Sequence, residues 1–426
     1  MGDDFNETEI GPIPTDWAVV QIGDVLSDAT VKVKDQSEIS PGELQVLSLS
    51  KNDGLVLQSE HFKKRIALED IGGYKLVRRG WLVYNPYVIW EGAIHALRDR
   101  DYGVVSPAYQ IWRPDVNAHI FFLDYLFRTP WMLDTFLMHC AGTVKRRRSI
   151  SRRDFESIRI PLPPLDEQRK IARVLNALQA EIAAQDQLIA AAQEVKRALM
   201  ARLFTYGPGR DPAPTKETEI GELPEPWVVV RIGDVIEDTQ YGLSQKAYEH
   251  GMYPILGMAH LVDGYVRPSD LKYVDLKDDD FEKFRLRSGD VLFNRTNSLE
   301  LVGKTAIFQL EGDYVFASYL VRVVADHEHL QPEYLNHCLN TDAAQGRLKM
   351  IATRAVSQSN INATKLKNFQ IPLPPVLEQE EVSAILRTVD RKIEAERQRK
   401  GAVQANFDAM LHELMTGRIR LKEVDI

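Results

Sequence analysis

"RIPLPPLDEQRKIARVL" (Arg159–Leu175) and "QIPLPPVLEQEEVSAIL" (Gln370–Leu386) are two versions of one sentence. Each places a proline-bounded apolar run in front of a helical pattern. Pro161, Pro163 and Pro164, like Pro372, Pro374 and Pro375, donate no backbone hydrogen bond and hold the chain extended, a stiff lead-in to the helix. Asp166 and Glu167 follow in the first copy and Glu378, Glu380 and Glu381 in the second, charges that suit a helix N-terminus.

Behind each lead-in the apolar period becomes three-and-four. In the first copy Ile171, Leu175, Leu178, Ile182, Gln185, Ile189, Ala192, Lys196, Leu199 and Leu203 carry it. In the second, Val382, Leu386, Val389, Ile393, Glu396, Lys400, Val403, Phe407, Met410 and Leu414 do so in the same register, 211 residues on. A seam at 3.5 residues sustained over several heptads predicts two long helices packed as a coiled coil. An alternative is that each helix only covers its own domain. The helices stop near Gly207 and Gly417, and roughly forty residues at 1.5 Å each make a rod of about 60 Å. Gln185, Glu396 and Lys400 are polar in this seam and are expected to fix helix register.

The repeat extends over the whole chain. "TEIGPIPTDWAVVQIGDVL" (Thr8–Leu26) returns as "TEIGELPEPWVVVRIGDVI" (Thr218–Ile236). "RRGWLVYN" (Arg78–Asn85) answers "RSGDVLFN" (Arg287–Asn294), and "VVSPAYQI" (Val104–Ile111) answers "YVFASYLV" (Tyr314–Val321). Short β-branched and aromatic runs come first in each half and helical stretches later, which predicts α+β domains. The expected division is a recognition domain over 1–165, a helix over 166–206, a second domain over 207–376, and a helix with its tail over 377–426.

A length of 426 residues suits two or more domains, and 27% charged with 8% aromatic residues is an ordinary globular composition. No apolar run reaches the ~18–20 residues that span a bilayer, and the start "MGDDFNETEIG" lacks a basic or apolar signal region. The expectation is a cytoplasmic protein. Cys140 and Cys338 are too few for a disulfide framework or a thiolate metal site. The net charge of −8 speaks against an overall basic nucleic-acid binder, but "VKRRRSISRR" gathers Lys145, Arg146, Arg147, Arg148, Arg152 and Arg153 into ten residues. That run reads either as a solvated loop or as a phosphate grip.

Catalytic and nucleotide-binding signatures are missing: no GxxxxGK[ST], no strand-linked GxGxxG, no HExxH and no CxxC. "NPYV" (Asn85–Val88) is similar to the Asn-Pro-Pro-Tyr/Phe loop of amino-methyltransferases, which holds a flipped base. It lacks the second proline, and its counterpart after Asn294 reads Arg-Thr-Asn. A loop that recurs with changed contents reads as a recognition surface. Asn85, Tyr87 and Tyr109 in the first half are therefore candidate DNA contacts. So are Asn294, Arg295, Asn297 and Lys304 of "FNRTNSLELVGK" in the second, joined by Arg354, Gln358 and Asn360 of "TRAVSQSNIN". Asn and Arg pair with base edges, and Lys and Arg grip phosphate.

The doubled "IPLPP-x-x-EQ" motif, the "GDVLFNRTNS…VGK" loop, the "VSPAY" stretch and the helix ending "LMTGRIRL" resemble the specificity subunit of type I restriction-modification systems over nearly the whole chain. The resemblance implies two α+β target-recognition domains, each reading one half of a split double-stranded DNA target. It further implies that they are separated by two long helices packed as an antiparallel coiled coil that acts as a ruler. Its partners would be two modification subunits carrying S-adenosylmethionine chemistry on adenine and a restriction motor-nuclease using ATP and Mg, with no cofactor in this chain. A coiled-coil adaptor that binds protein and not DNA is the rival reading.

Overall fold

The computed structural model describes residues 5–40, 43–61, 71–142, 148–209, 211, 213–354 and 358–422. The chain forms two compact units, 1–185 with 399–426, and 186–398. This division passes through the middle of both long helices, Leu165–Tyr206 and Val376–Met415, where the sequence suggested helices separate from the domains. Each unit thus contains one α+β domain, half of the helix that follows it, and half of the other helix.

In the first unit the strands Ile94–Ala96, Leu82–Tyr84, Gln110–Pro114 and Leu26–Asp28 make an antiparallel sheet, beside a second sheet of Tyr102–Val105, Lys75–Arg78 and Val31–Lys32. Helices Ile120–Leu126, Pro130–Met138 and Arg152–Ser157 follow the strands. The core gathers around Phe155, whose ring lies 4.4 Å from Tyr84 and 5.4 Å from Trp112. The second unit has a six-stranded sheet in the order Ile236–Tyr241, Leu320–Ala325, Val291–Asn294, Thr305–Ile307, Tyr265–Val266, Leu261–Val262, followed by helices Pro332–Leu339 and Asp342–Ile351.

The proline motif is more than a lead-in. Arg159–Leu162 pairs antiparallel with Ala18–Gln21, and Gln370–Leu373 pairs with Val228–Arg231, in matching register. These are two-stranded ribbons, where the missing donors of Pro161 and Pro372 fall at an edge. The turn into each helix is then pinned by a fully buried glutamine. Gln168 Nε2 donates to the carbonyls of Pro163 (2.8 Å) and Asn117 (3.1 Å), and its Oε1 accepts from His119 N (2.8 Å). Gln379 repeats this with Pro374 (2.9 Å), His329 (2.8 Å) and Gln331 N (2.8 Å). The neighbouring glutamates accept from indoles: Trp17 Nε1 donates to Glu167 (3.1 Å) and Trp227 Nε1 to Glu378 (2.8 Å). Glu167 and Glu378, expected only to complement a helix dipole, tie helix start to domain start.

Within each unit the two helix segments run antiparallel. In the first, Glu167 meets Arg420 (2.7 Å) while Glu181 meets Arg399 (3.4 Å). In the second, Gly207 lies by Glu378 while Lys196 meets Asp390 (2.6 Å). The seam residues Ile171, Leu175, Val382, Leu386 and Ile393 are buried, whereas Leu178, Ile182, Leu199, Val389 and Phe407 are half-buried. The buried seam positions at the helix starts, Ile171, Leu175, Val382 and Leu386, enter a domain core, whereas most of the remaining seam keeps one side open to water. Leu203 and Phe204, at the end of the first helix, belong to the second unit's core, and Leu414 and Met415 to the first unit's. Complete burial of such side chains contributes about 1.5–3 kcal/mol each. Among the described residues, no helix is long and apolar enough to cross a membrane.

Candidate nucleic-acid interface

In the second unit, strand Val291–Asn294 is covered on both faces and ends at Asn294. The loop after it is closed at its neck: Asn294 N donates to Lys304 O (2.8 Å) and Gly303 N donates to Asn294 O (2.8 Å). Gly303 adopts φ +89° against Leu348, a position that disfavours any side chain. Asn294 itself is fully buried, and its amide donates to Leu301 O (3.3 Å). The expectation that Asn294 faces DNA is corrected: its side chain shapes the loop from inside, because the strand that carries it has no open face.

Arg295, Thr296 and Asn297 after it are half-buried, and they meet the other candidate segment. Thr296–Asn297 pairs with Ser359–Asn360, which also pairs with Thr353–Arg354, in a small three-stranded sheet. Asn360 Nδ2 donates to Thr296 Oγ1 (2.7 Å). Arg295 donates to Ser318 O (3.1 Å) and stacks 4.8 Å from the centre of the Tyr241 ring. Asn297 and Asn360 are half-buried and Gln358 is exposed, while the side chain of Arg354 lies outside the described set. Tyr241 (42% exposed) and Tyr319 (48%) border the patch and were missed by sequence reasoning, although Tyr319 is the repeat partner of Tyr109. Lys304 is exposed but sits apart, lining a cleft with Gln193, Lys196 and Arg397.

The first unit has the same wiring. Ile150 N donates to Pro86 O (3.1 Å), and Ser149 bridges Ala141, so the loop at Asn85 joins the segment that carries the basic run. Asn85, half-buried, accepts from Tyr87 N (3.1 Å) and turns Tyr87 outward, 54% exposed. Tyr109 is half-buried against the core cluster that includes Leu47, Val77 and Val83, and burial pushes its phenol pKa up. Lys145, Arg146 and Arg147 lie outside the described residues. Arg148 is half-buried and donates to Gly142 O (3.3 Å); Arg153 is exposed. Arg152 departs from expectation. Its guanidinium bridges Asp28 (2.7 Å) and Glu156 (2.9 Å) and lies 5.1 Å from the Trp112 ring centre, so its charge is answered within the domain.

The two patches share hydrogen-bond donors and acceptors on short paired loops, with exposed tyrosines beside them. Such surfaces suit base edges, sugars and phosphates. Among the described residues, no group of three or more His, Cys, Asp or Glu side chains could hold a metal ion.

Comparison with known proteins agrees with the repeat. The family model for the type I restriction modification DNA specificity domain matches twice, over residues 14–194 and 224–405. The MjaX putative type I restriction enzyme specificity subunit of Methanocaldococcus jannaschii is 37% identical over 181 residues, 42% of this chain and 43% of that one. The MjaVIII specificity subunit from the same organism is 25% identical over 99% of this chain and 97% of its own length, and the EcoKI specificity subunit of Escherichia coli is 27% identical over 54% and 50%. Among solved structures, the type I restriction-modification S subunit from M. genitalium has a similar fold (TM-score 0.56, 11% identity, 97% of both chains). So does a chain from a structure on the assembly and conformational transition of the type I R-M system (TM-score 0.53, 20% identity, 96% of this chain and 99% of that one). Two copies of one family domain, on two units wired alike, account for nearly the whole sequence: the chain belongs to the type I restriction-modification DNA specificity domain family.

Proposed function

We propose that this chain is the non-catalytic specificity subunit of a type I restriction-modification complex. It reads a split double-stranded DNA target with one domain per half-site, the first over 1–165 and the second over 207–376. The long helices set the gap between the half-sites. The observation that carries this is the recurrence, in both units, of a loop after a core strand paired with the segment that leads into the proline motif.

Tyr87, Tyr109, Lys145, Arg146, Arg147, Arg148 and Arg153 serve the first half-site. Arg295, Asn297, Arg354, Gln358 and Asn360 serve the second, with Tyr241 and Tyr319 beside them and Lys304 at a phosphate. Different loop contents, "NPYV" against "NRTN", give half-sites of different sequence. Two modification subunits supply S-adenosylmethionine chemistry on adenine, and restriction subunits supply ATP- and Mg-dependent cleavage, in the cytoplasm.

The test is assembly of this chain with its modification subunits on DNA. Target-dependent binding that weakens steeply with salt supports the reading, because neutralising each phosphate contributes close to −0.9 to the salt slope. Assembly on the partner without any DNA selectivity would instead make the chain a protein-binding adaptor.

A further inference from the structure

In the second unit a two-residue hairpin, Val262-Asp263-Gly264-Tyr265, carries two left-handed residues, Asp263 at φ +52° and Gly264 at φ +86°. Two positive φ values make the tight turn whose twist matches a hairpin, and Asp-Gly is a preferred pair for it. Both long helices hold it. From the first, Gln193 reaches the Asp263 carboxylate (3.4 Å); from the second, Arg397 forms an ion pair with the same group.

Tyr265 donates its hydroxyl to Asp390 Oδ2 (2.9 Å), and Asp390 takes Lys196 of the facing helix at 2.6 Å. Next along, Arg267 pairs with Glu394 at 2.6 Å. The Lys196 and Asp390 side chains are only 14% and 11% exposed, so this pair is little screened by solvent. Gly264 is also pinned from behind, its carbonyl accepting from Asn336 Nδ2 (2.9 Å).

The corresponding turn of the first unit, Lys51–Gly54, is held differently. Lys51 pairs with Glu91, and His95 meets the Lys51 carbonyl (3.1 Å), all inside the domain. That domain meets the helices elsewhere, through Tyr125 beside Asn176 (2.8 Å), Gln179 (2.7 Å) and the Phe407 ring (6.0 Å).

We propose that the Val262–Tyr265 hairpin turn, clamped by Gln193 and Arg397 at Asp263 and by the Lys196–Asp390 pair at Tyr265, is the joint that sets the position of the second recognition domain along the helices, and hence the allowed gap between half-sites. The turn belongs to the six-stranded sheet whose strand Val291–Asn294 ends in the reading loop, two strands away. Strands about 4.8 Å apart in one hydrogen-bonded sheet move together, so a shift at the turn is carried to the loop. These four are positioning residues; they touch no base. The proposal rests on the function proposed above.

The experiment maps modified adenines by single-molecule sequencing in cells that express the full chain with its modification subunits. Lys196→Met with Asp390→Leu removes the pair while filling its space. The expected result is unchanged half-sites with modification spread to gaps one base pair longer and shorter, roughly a tenfold rise in off-gap sites. The charge swap Lys196→Asp with Asp390→Lys should bring back the single gap, and Lys51→Gln in the first domain should leave it untouched. A single unchanged gap in the Met/Leu variant overturns the proposal, as does any change in half-site sequence. If that variant modifies nothing, the more exposed Gln193→Ala with Arg397→Gln decides: a broadened gap supports the clamp and a single gap refutes it. Failure of the function itself is seen separately, as the absence of any split motif with the unsubstituted chain, and the proposal falls with it.

Discussion

Replacing Gln379 with leucine removes one fully buried side chain and three hydrogen bonds. Gln331 N–H loses its acceptor, and the carbonyls of His329 and Pro374 lose a donor. Each buried polar group left unmade costs about 1–3 kcal/mol, and an apolar leucine in the same volume recovers part of that. A net loss of about 3–5 kcal/mol results, a large share of the 5–15 kcal/mol typical of a domain. Two units need not unfold together, so bulk melting would blur the result. Native-state hydrogen exchange resolves it: amides of Pro332–Leu339 and of the first turns of the second long helix should lose that much protection, with little change in Ile120–Leu126. Gln168→Leu should give the mirror result in the first unit. A loss below about 1 kcal/mol in either case would refute the view that this glutamine pins strand, loop and helix together.

Two other single side chains give measurable outcomes. Burial, with Lys196 and Arg387 nearby, pushes the His337 pKa down to about 3, so the folded protein keeps this ring neutral where the unfolded chain charges it near 6.5. The unfolded state then binds the extra proton, and stability falls as pH drops from about 6.5 towards 3, by roughly 3–6 kcal/mol in all; His337→Phe should flatten that acid limb in a pH series of denaturant melts, and an unaltered limb would count against it. Arg295→Ala should relax recognition in one half-site only, by about 1–3 kcal/mol if the guanidinium reads a base, seen as extra bases tolerated at one position of the modified motif.

The large-scale order of this molecule was legible because repeats and periods are one-dimensional. The 3.5-residue seam located both helices, and the recurring Trp17/Trp227 and Glu167/Glu378 stood in plain sight as a signal. Their contact was not read, because an indole and a carboxylate about 150 residues apart declare no partnership until the ribbon of Ala18–Gln21 with Arg159–Leu162 brings them together. The patches were legible as residue types and not as directions. Asn294 and Arg295 are neighbours of equal promise in sequence, yet one is enclosed by a two-faced strand and the other stacks on a surface tyrosine. Arg152 looked like part of a phosphate grip until Asp28, 124 residues earlier, was found against it. The ends of the long helices held the largest surprise: Leu203 and Phe204 belong to the core of the second unit and Leu414 and Met415 to that of the first, so neither helix ends in the unit where it begins, an arrangement no local pattern encodes.

The proposed function assigns the halves of a split target to two domains and its gap to the helices. Its most direct test is the map of modified adenines for the full chain and for a variant lacking one heptad from each long helix outside the clamp, such as 181–187 with 398–404. The expected result is a bipartite motif for the full chain, with two different halves at one fixed gap, and the same two halves at another gap in the variant. Altered half-sites with the gap unchanged would contradict it.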